Sequence, residues 1–156
     1  LLDIKDHIIS KTPSPKIIWD PILATSSGYK VFENTTSLRE LLDGIYCITP
    51  NLPEFNELIK TEENALEISK TVAIYLKGGH NTENKGVDEL YSNKEKVILN
   101  PNAIEVSSKH GSGCILSSAL AANLALGKNL IESGQNAKLY AEERLASNKS
   151  LLAYHN

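Results

Sequence analysis

Methionine is absent from this 156-residue chain, which opens on Leu1, and cysteine occurs only twice. The missing methionine predicts either that the chain begins inside a longer protein or that methionines have been lost from the recorded sequence. The contexts of Cys47 and Cys114 differ too much for a disulfide framework, so the sequence predicts a reducing, cytoplasmic setting. No apolar run is long enough to span a bilayer, and the N-terminal stretch lacks the pattern of a signal peptide.

Positive charge is also in short supply, because the formal net charge is -3 and the lysines and arginines are scattered. This distribution argues against a nucleic-acid-binding surface. A hydrophobic content of 41% and a charged content of 22% are typical of a globular protein. With neither internal repeats nor linker segments, we predict a single domain over 1–156.

Short apolar runs alternate with helical patterns along the chain. Strands are predicted at 16–20, 45–50 and 72–76, a hairpin over 87–100, and helices at 1–10, 36–43, 51–60, 61–71, 114–126 and 131–147. Continuous apolar strands are typical of parallel strands covered on both faces. The sequence therefore predicts a doubly wound, mostly parallel α/β sheet with helices on both faces and ligands at the carboxyl ends of its strands.

In the segment "HGSGC", Gly111 and Gly113 flank Ser112, and Cys114 follows just before a long apolar helix. Gly111 and Gly113 allow a sharp turn, and the helix start adds unpaired N–H groups and a positive dipole end. Together these features predict a cradle for an anion such as phosphate, with Cys114 as a reactive group. The alternative is a simple tight turn followed by a small buried cysteine.

The segment "TPNLPE" places Asn51 and Glu54 three residues apart at the start of a helix. An amide and a carboxylate on one helix face could organise Mg²⁺, which prefers one or two carboxylates with waters and phosphate oxygens. The same spacing also fits a capping box, in which the two side chains bond each other's backbone. Both interpretations remain open at this point.

Two further polar segments follow predicted strands. Asp20 ends one strand before Pro21, and Lys77 ends another before two glycines. Either side chain could face a ligand or lie in solvent at a turn. Neither a P-loop nor a G-x-G-x-x-G segment is present, and the four histidines lack zinc-ligand spacing.

The order of "DPIL", "TPNLPE", "LKGGH" and "HGSGCILSSALAANLALG" resembles the C-terminal part of the hydroxymethylpyrimidine and phosphomethylpyrimidine kinases of thiamine biosynthesis. The resemblance covers residues 16–152 and implies the ribokinase-like fold, without the N-terminal portion that carries a glycine-rich segment and much of the pyrimidine pocket. A cysteine after the G-x-G loop, where sugar kinases have aspartate, marks this branch.

The resemblance implies a role for each matching residue. Cys114 takes the catalytic position, assisting deprotonation of the substrate hydroxymethyl group, and Asp20 lies near the phosphates. The other matches are an anion hole of Gly111, Ser112 and Gly113, a magnesium-organising pair of Asn51 and Glu54, and a nucleotide-side loop of Lys77, Gly78, Gly79 and His80. The expected ligands are ATP, Mg²⁺ and a small pyrimidine, and the expected assembly is a homodimer.

Three other functions compete with this interpretation. A pyridoxal kinase of the same branch phosphorylates a similar hydroxymethyl group on a flat heteroaromatic ring. A nucleotide- or pyrimidine-binding module without catalysis is a second alternative, although the presence of both Cys114 and Glu54 counts against it. A cysteine hydrolase that pairs Cys114 with His110 is the third.

Overall fold

The described residues of the computed structural model, 15–23, 38–80, 84–102 and 111–151, contain one mixed sheet. The helix predicted over 1–10 lies outside them. The strands lie side by side in chain order: β1 (Ile18–Trp19), β2 (Cys47–Ile48), β3 (Ala73–Leu76), β4 (Asp88–Ser92) and β5 (Glu95–Leu99).

The sheet combines a parallel part with an antiparallel hairpin. Strands β1, β2 and β3 run parallel, with Trp19 beside Ile48 and Ile48 beside Ile74. Strands β4 and β5 form the hairpin that the sequence predicted, and β4 pairs antiparallel with β3. An antiparallel strand begins at the sheet edge where its parallel neighbours end. The first residue of β4 therefore lies at the edge where β3 ends.

Helices cover both faces of this sheet, as predicted. One face is packed by short helices and the other by two long ones, and the residues of β3 alternate between the two cores. The helices are α1 (Leu38–Leu42), α2 (Leu52–Leu58) and α3 (Glu62–Ile68) on the first face, and α4 (Ser112–Ala125) and α5 (Leu130–Ala146) on the second.

The core beneath α4 and α5 explains their place on the sheet. Leu116, Leu120 and Leu124 recur at every fourth residue of α4 and are buried in this core. Gly134 allows α5 to pack against the ring of Tyr75, since a Cβ atom there would lie 3.2 Å from Tyr75 Cε2. Within the described ranges, neither long helix nor any other combines the length and apolar character needed to cross a membrane.

Candidate active site

The carboxyl ends of the three parallel strands bring predicted site residues together. Asp20 directly follows β1 and Lys77 directly follows β3, and their side chains meet with Lys77 Nζ 2.7 Å from Asp20 Oδ1. Asn51 and Lys77 form an isolated parallel bridge, and the Lys77 N–H donates to the Pro50 carbonyl. The predicted meeting of strand ends at one edge is confirmed.

Lys77 lies between two carboxylates at this edge. Its Nζ atom is 4.0 Å from Glu54 Oε2 in addition to its close contact with Asp20. The three side chains are only 10–16% exposed, so solvent screens these charges weakly. Thr49 is buried and its hydroxyl donates to Asp20 Oδ1 at 3.3 Å. Two carboxylates and one ammonium thus lie close together at this edge.

Asn51 and Glu54 form the capping box that the sequence allowed. The Asn51 N–H donates to Glu54 Oε2 at 2.7 Å, and the Glu54 N–H donates to Asn51 Oδ1 at 2.9 Å. The same bond that starts α2 therefore also holds the Glu54 carboxylate near Lys77. The structure confirms the capping box, and the magnesium role of Asn51 and Glu54 stays a prediction.

Helix α4 begins at Ser112, two residues earlier than the sequence predicted. Gly111 precedes it in the left-handed conformation, with φ at +78°, which glycine adopts at little cost. The first helical bond runs from the Ile115 N–H to the Gly111 carbonyl. The N–H groups of residues 112–114 therefore precede the intrahelical ladder, which is the position at which helix N-termini bind anions.

Gly113 has a different role from the turn residue that the sequence suggested. It is helical, and a Cβ atom there would lie 3.1 Å from Lys77 Nζ and 3.4 Å from Asp20 Oδ2. Close approach of these two side chains to the helix explains the glycine. The start of α4, Asp20 and Lys77 therefore form one site.

The two cysteines lie in opposite environments. Cys47 is fully buried in the core, and burial raises the pKa of its thiol to about 12, which disfavours the reactive thiolate. Cys114 is exposed, so the alternative of a small buried cysteine is wrong. It also lines an open groove of about 690 Å³ along α4 and α5.

The two glycines after Lys77 differ sharply in their surroundings. Gly78 is buried, its N–H donates to Asp88 Oδ1 at 2.7 Å, and a Cβ atom there would lie 1.9 Å from the Val87 carbonyl oxygen. Gly79 is exposed, and a Cβ atom there would meet no described atom within 4 Å. The side chain of His80 lies outside the described part. In the predicted nucleotide-side loop, the side chain of Lys77 lies beside the acidic residues of this edge.

The Gly78 and Gly79 pair offers a matched stability test. We expect Gly78→Ala to cost about 3 kcal/mol or to prevent folding, because the new methyl group would overlap backbone that cannot give way. Gly79→Ala should change the free energy of unfolding by less than about 0.5 kcal/mol. Urea unfolding of both variants measures this difference. Equal stabilities would contradict the close packing of residue 78 on Val87.

Sequence reasoning missed two residues that organise this edge, Thr49 and Asp88. Thr49 lies inside an apolar strand pattern, and Asp88 is the second residue of the predicted polar hairpin. A signal for Asp88 exists once the antiparallel direction of β4 is known, because its first residue must lie beside the end of β3.

The donor set at this edge suits a magnesium ion bound mainly by other ligands. Within the described ranges, no group of three or more His, Cys, Asp or Glu residues is arranged to hold a metal. Asp20 and Glu54 are two partly accessible carboxylates that lie on either side of Lys77. Mg²⁺ commonly binds to one or two carboxylates plus waters and phosphate oxygens, so these residues fit.

Comparison with known proteins supplies the family. Residues 3–156 match the family described as phosphomethylpyrimidine kinase. The chain belongs to this family. Among curated relatives of the family, the hydroxymethylpyrimidine/phosphomethylpyrimidine kinase of Aquifex aeolicus is 31% identical over 148 residues, covering 86% of this chain and 58% of that protein. The kinase of the same name from Escherichia coli is 29% identical, covering 89% and 58%.

This member of the phosphomethylpyrimidine kinase family thus spans somewhat more than half the length of those relatives. Its fold is that of ribokinase-like proteins. The pyridoxal kinase of Staphylococcus aureus in complex with ADP superposes with a TM-score of 0.77 at 21% identity, covering 93% of this chain and 57% of that one. Ribokinase from Thermotoga maritima gives 0.67 at 20% identity, covering 92% and 46%. The predicted fold class and family are confirmed.

Proposed function

We propose that the full-length protein is an ATP-dependent kinase that phosphorylates the hydroxymethyl group of hydroxymethylpyrimidine, the phosphate of its monophosphate, or both. One observation carries the proposal: Lys77 and Asp20 lie against the glycine-lined start of α4, where Gly113 leaves room for them. An ammonium and the N–H groups of a helix N-terminus at one point are suited to a transferring phosphoryl group. Membership of a family described as phosphomethylpyrimidine kinase supports the same chemistry.

Phosphoryl transfer depends mainly on positioning and on neutralising the charge of the migrating group. The N–H groups at Ser112 and Gly113 would bind its oxygens, and the left-handed Gly111 keeps a side chain from covering them. Lys77 would add positive charge while Asp20 holds its ammonium in place. Charges and N–H groups that the fold already holds in place before transfer provide electrostatic preorganisation.

Cys114, in its thiolate form, would accept the proton of the attacking hydroxymethyl group and become a neutral thiol. Its thiol is exposed at the third position of α4, next to the residues that would bind the phosphoryl group. The groove that it lines provides space for a ligand whose reacting atom lies at this cysteine. The exposure of Cys114 supports this role over a packing role.

Asp20 and Glu54, with Asn51 beside them, would hold Mg²⁺ through carboxylate oxygens and waters. When bound, the ion supplies charge neutralisation to the ATP phosphates. The capping bond from the Asn51 N–H keeps Glu54 directed at this edge with or without the ion.

Pyridoxal is the strongest competing substrate. The Bacillus subtilis pyridoxal kinase, solved as an ADP complex, is 25% identical with a TM-score of 0.63, covering 89% of this chain and 57% of that one. The segments that match the pyrimidine kinases lie on the phosphate side, which both branches share.

The cysteine usage and the family resemblance also support a cytoplasmic homodimer, which we include in the proposal.

We expect the full-length protein to show a higher kcat/KM for hydroxymethylpyrimidine or its monophosphate than for pyridoxal. The ratio of these values measures discrimination between substrates directly. ADP release with each acceptor in turn, under identical ATP and Mg²⁺, is the measurement. A higher value for pyridoxal would reassign the ring. Absence of phosphorylation of all three would favour the binding module or the hydrolase.

A further inference from the structure

A buried ionic cluster lies directly behind the loop that follows Lys77. Asp88, the first residue of β4, and Lys138, on α5, form an ion pair at 3.0 Å with each side chain only 7% exposed. Lys138 also contacts Glu142 Oε1 at 3.2 Å. Burying charged side chains costs free energy even when they are paired, so a buried cluster of this kind is expected to have a structural or functional role.

Asp88 accepts hydrogen bonds from residues on both sides of Lys77 in the chain. Its Oδ1 atom accepts the Gly78 N–H at 2.7 Å, and its Oδ2 atom accepts the Tyr75 hydroxyl at 2.8 Å. Tyr75 is two residues before Lys77 on the same face of the strand, and Gly78 is the next residue after it. One carboxylate thus binds the side chain two residues before the site lysine and the backbone N–H directly after it.

Lys138 completes this restraint from the opposite helix. Its Nζ atom donates to Asp88 Oδ2 and, at 2.5 Å, to the Gly86 carbonyl. The Gly86 N–H in turn donates to the Gly78 carbonyl. The chain at Gly86 and Asp88 is therefore held in place by a charged side chain of α5 as well as by its own bond to Gly78.

We infer that Asp88 and Lys138 are positioning residues, which fix the end of β3 so that the Lys77 ammonium stays against Asp20 and the start of α4. Their described hydrogen bonds reach Gly78 and Gly86 in the chain after Lys77, so their proposed effect on the site passes through Lys77. The kinetic part of this inference rests on the proposed kinase function. A purely stabilising ion pair is the competing explanation.

Asp88→Asn tests the inference, because asparagine keeps the size and one acceptor but removes the charge that holds Lys138. We expect kcat to fall about tenfold with little change in KM for the pyrimidine, since a displacement of about 1 Å can cost about 100-fold. In a Lys77→Gln background, Asp88→Asn should change kcat less than about twofold, because its effect passes through Lys77. Additive losses would overturn the inference.

Glu142→Gln is the matched control, since it removes a charge from the same cluster. Its described hydrogen-bond partners are Lys138 and Asn102 rather than Gly78 or Tyr75. We expect it to lower Tm while leaving kcat near wild type. An equal loss of kcat in Glu142→Gln and Asp88→Asn would assign the cluster to fold stability alone.

Amide hydrogen exchange at Gly78 tests the positioning without any assay of phosphorylation. In Asp88→Asn, exchange at Gly78 should quicken while the core amides of β3 keep their protection. Unchanged exchange at Gly78 would overturn the inference even in an active enzyme. Faster exchange in a protein that phosphorylates no acceptor would retain the positioning role and reject the proposed function.

Discussion

Replacing Cys114 with alanine should lower kcat by roughly 10²- to 10⁴-fold while leaving the fold and nucleotide binding intact, as expected for the loss of a general base. The thiol is exposed at the start of α4, and the described core of this face is built from other residues of the helix. Its removal therefore takes away a proton acceptor and almost no packing.

Steady-state kcat, Tm and the dissociation constant for ADP, measured on the full-length protein, check this expectation. Cys47→Ala is the matched control, because Cys47 is fully buried beneath α4 and α5. It should lower Tm by creating a small cavity but leave kcat near wild type. A Cys114→Ala variant that turns over at the wild-type rate would remove the cysteine from the mechanism.

Glu54→Gln should raise the Mg²⁺ concentration needed for half-maximal activity by roughly 10- to 100-fold, the usual cost of disturbing groups around a metal. Glutamine retains an acceptor for the Asn51 N–H, so the capping box and the start of α2 survive. What disappears is one of the two carboxylates that flank Lys77. The variant thus separates the capping role of Glu54 from its proposed role at the metal.

Activity over a Mg²⁺ titration, together with Tm, is the measurement for Glu54→Gln. Glu63→Gln serves as control, because it removes an exposed carboxylate from the first turn of the neighbouring α3 and lies outside the site. We expect Glu63→Gln to leave the titration unchanged. A Glu54→Gln curve that coincides with the wild type would restrict Glu54 to helix capping.

The sequence was sufficient to predict the strands, the helices on both faces and the convergence of Asp20, Asn51 and Lys77. These features depend on local periodicity and on the rule that parallel strands end at one edge. The family resemblance added the catalytic role that is predicted for Cys114. Residues at strand ends were predictable because their neighbours in sequence already determine where they lie.

Contacts across the sheet could not be predicted in the same way. The ion pair of Lys77 with Asp20 joins residues 57 positions apart, and the link from Lys138 to Asp88 spans 50. Local patterns carry no information on partners at such separations. The role of Gly113 was missed for the same reason, since it depends on side chains delivered by two distant strands.

The capping box at the start of α2 places Glu54 under two selective pressures that act in the same direction. Its carboxylate begins a helix and, under the proposed function, also serves the metal. Cys114 is exposed and carries almost no share of folding stability. A descendant of this chain that lost catalysis would therefore keep Asn51 and Glu54 long after its cysteine had drifted. Among these residues, the thiol is the evolutionary record of activity, and the capping pair of Asn51 and Glu54 is mainly a record of folding.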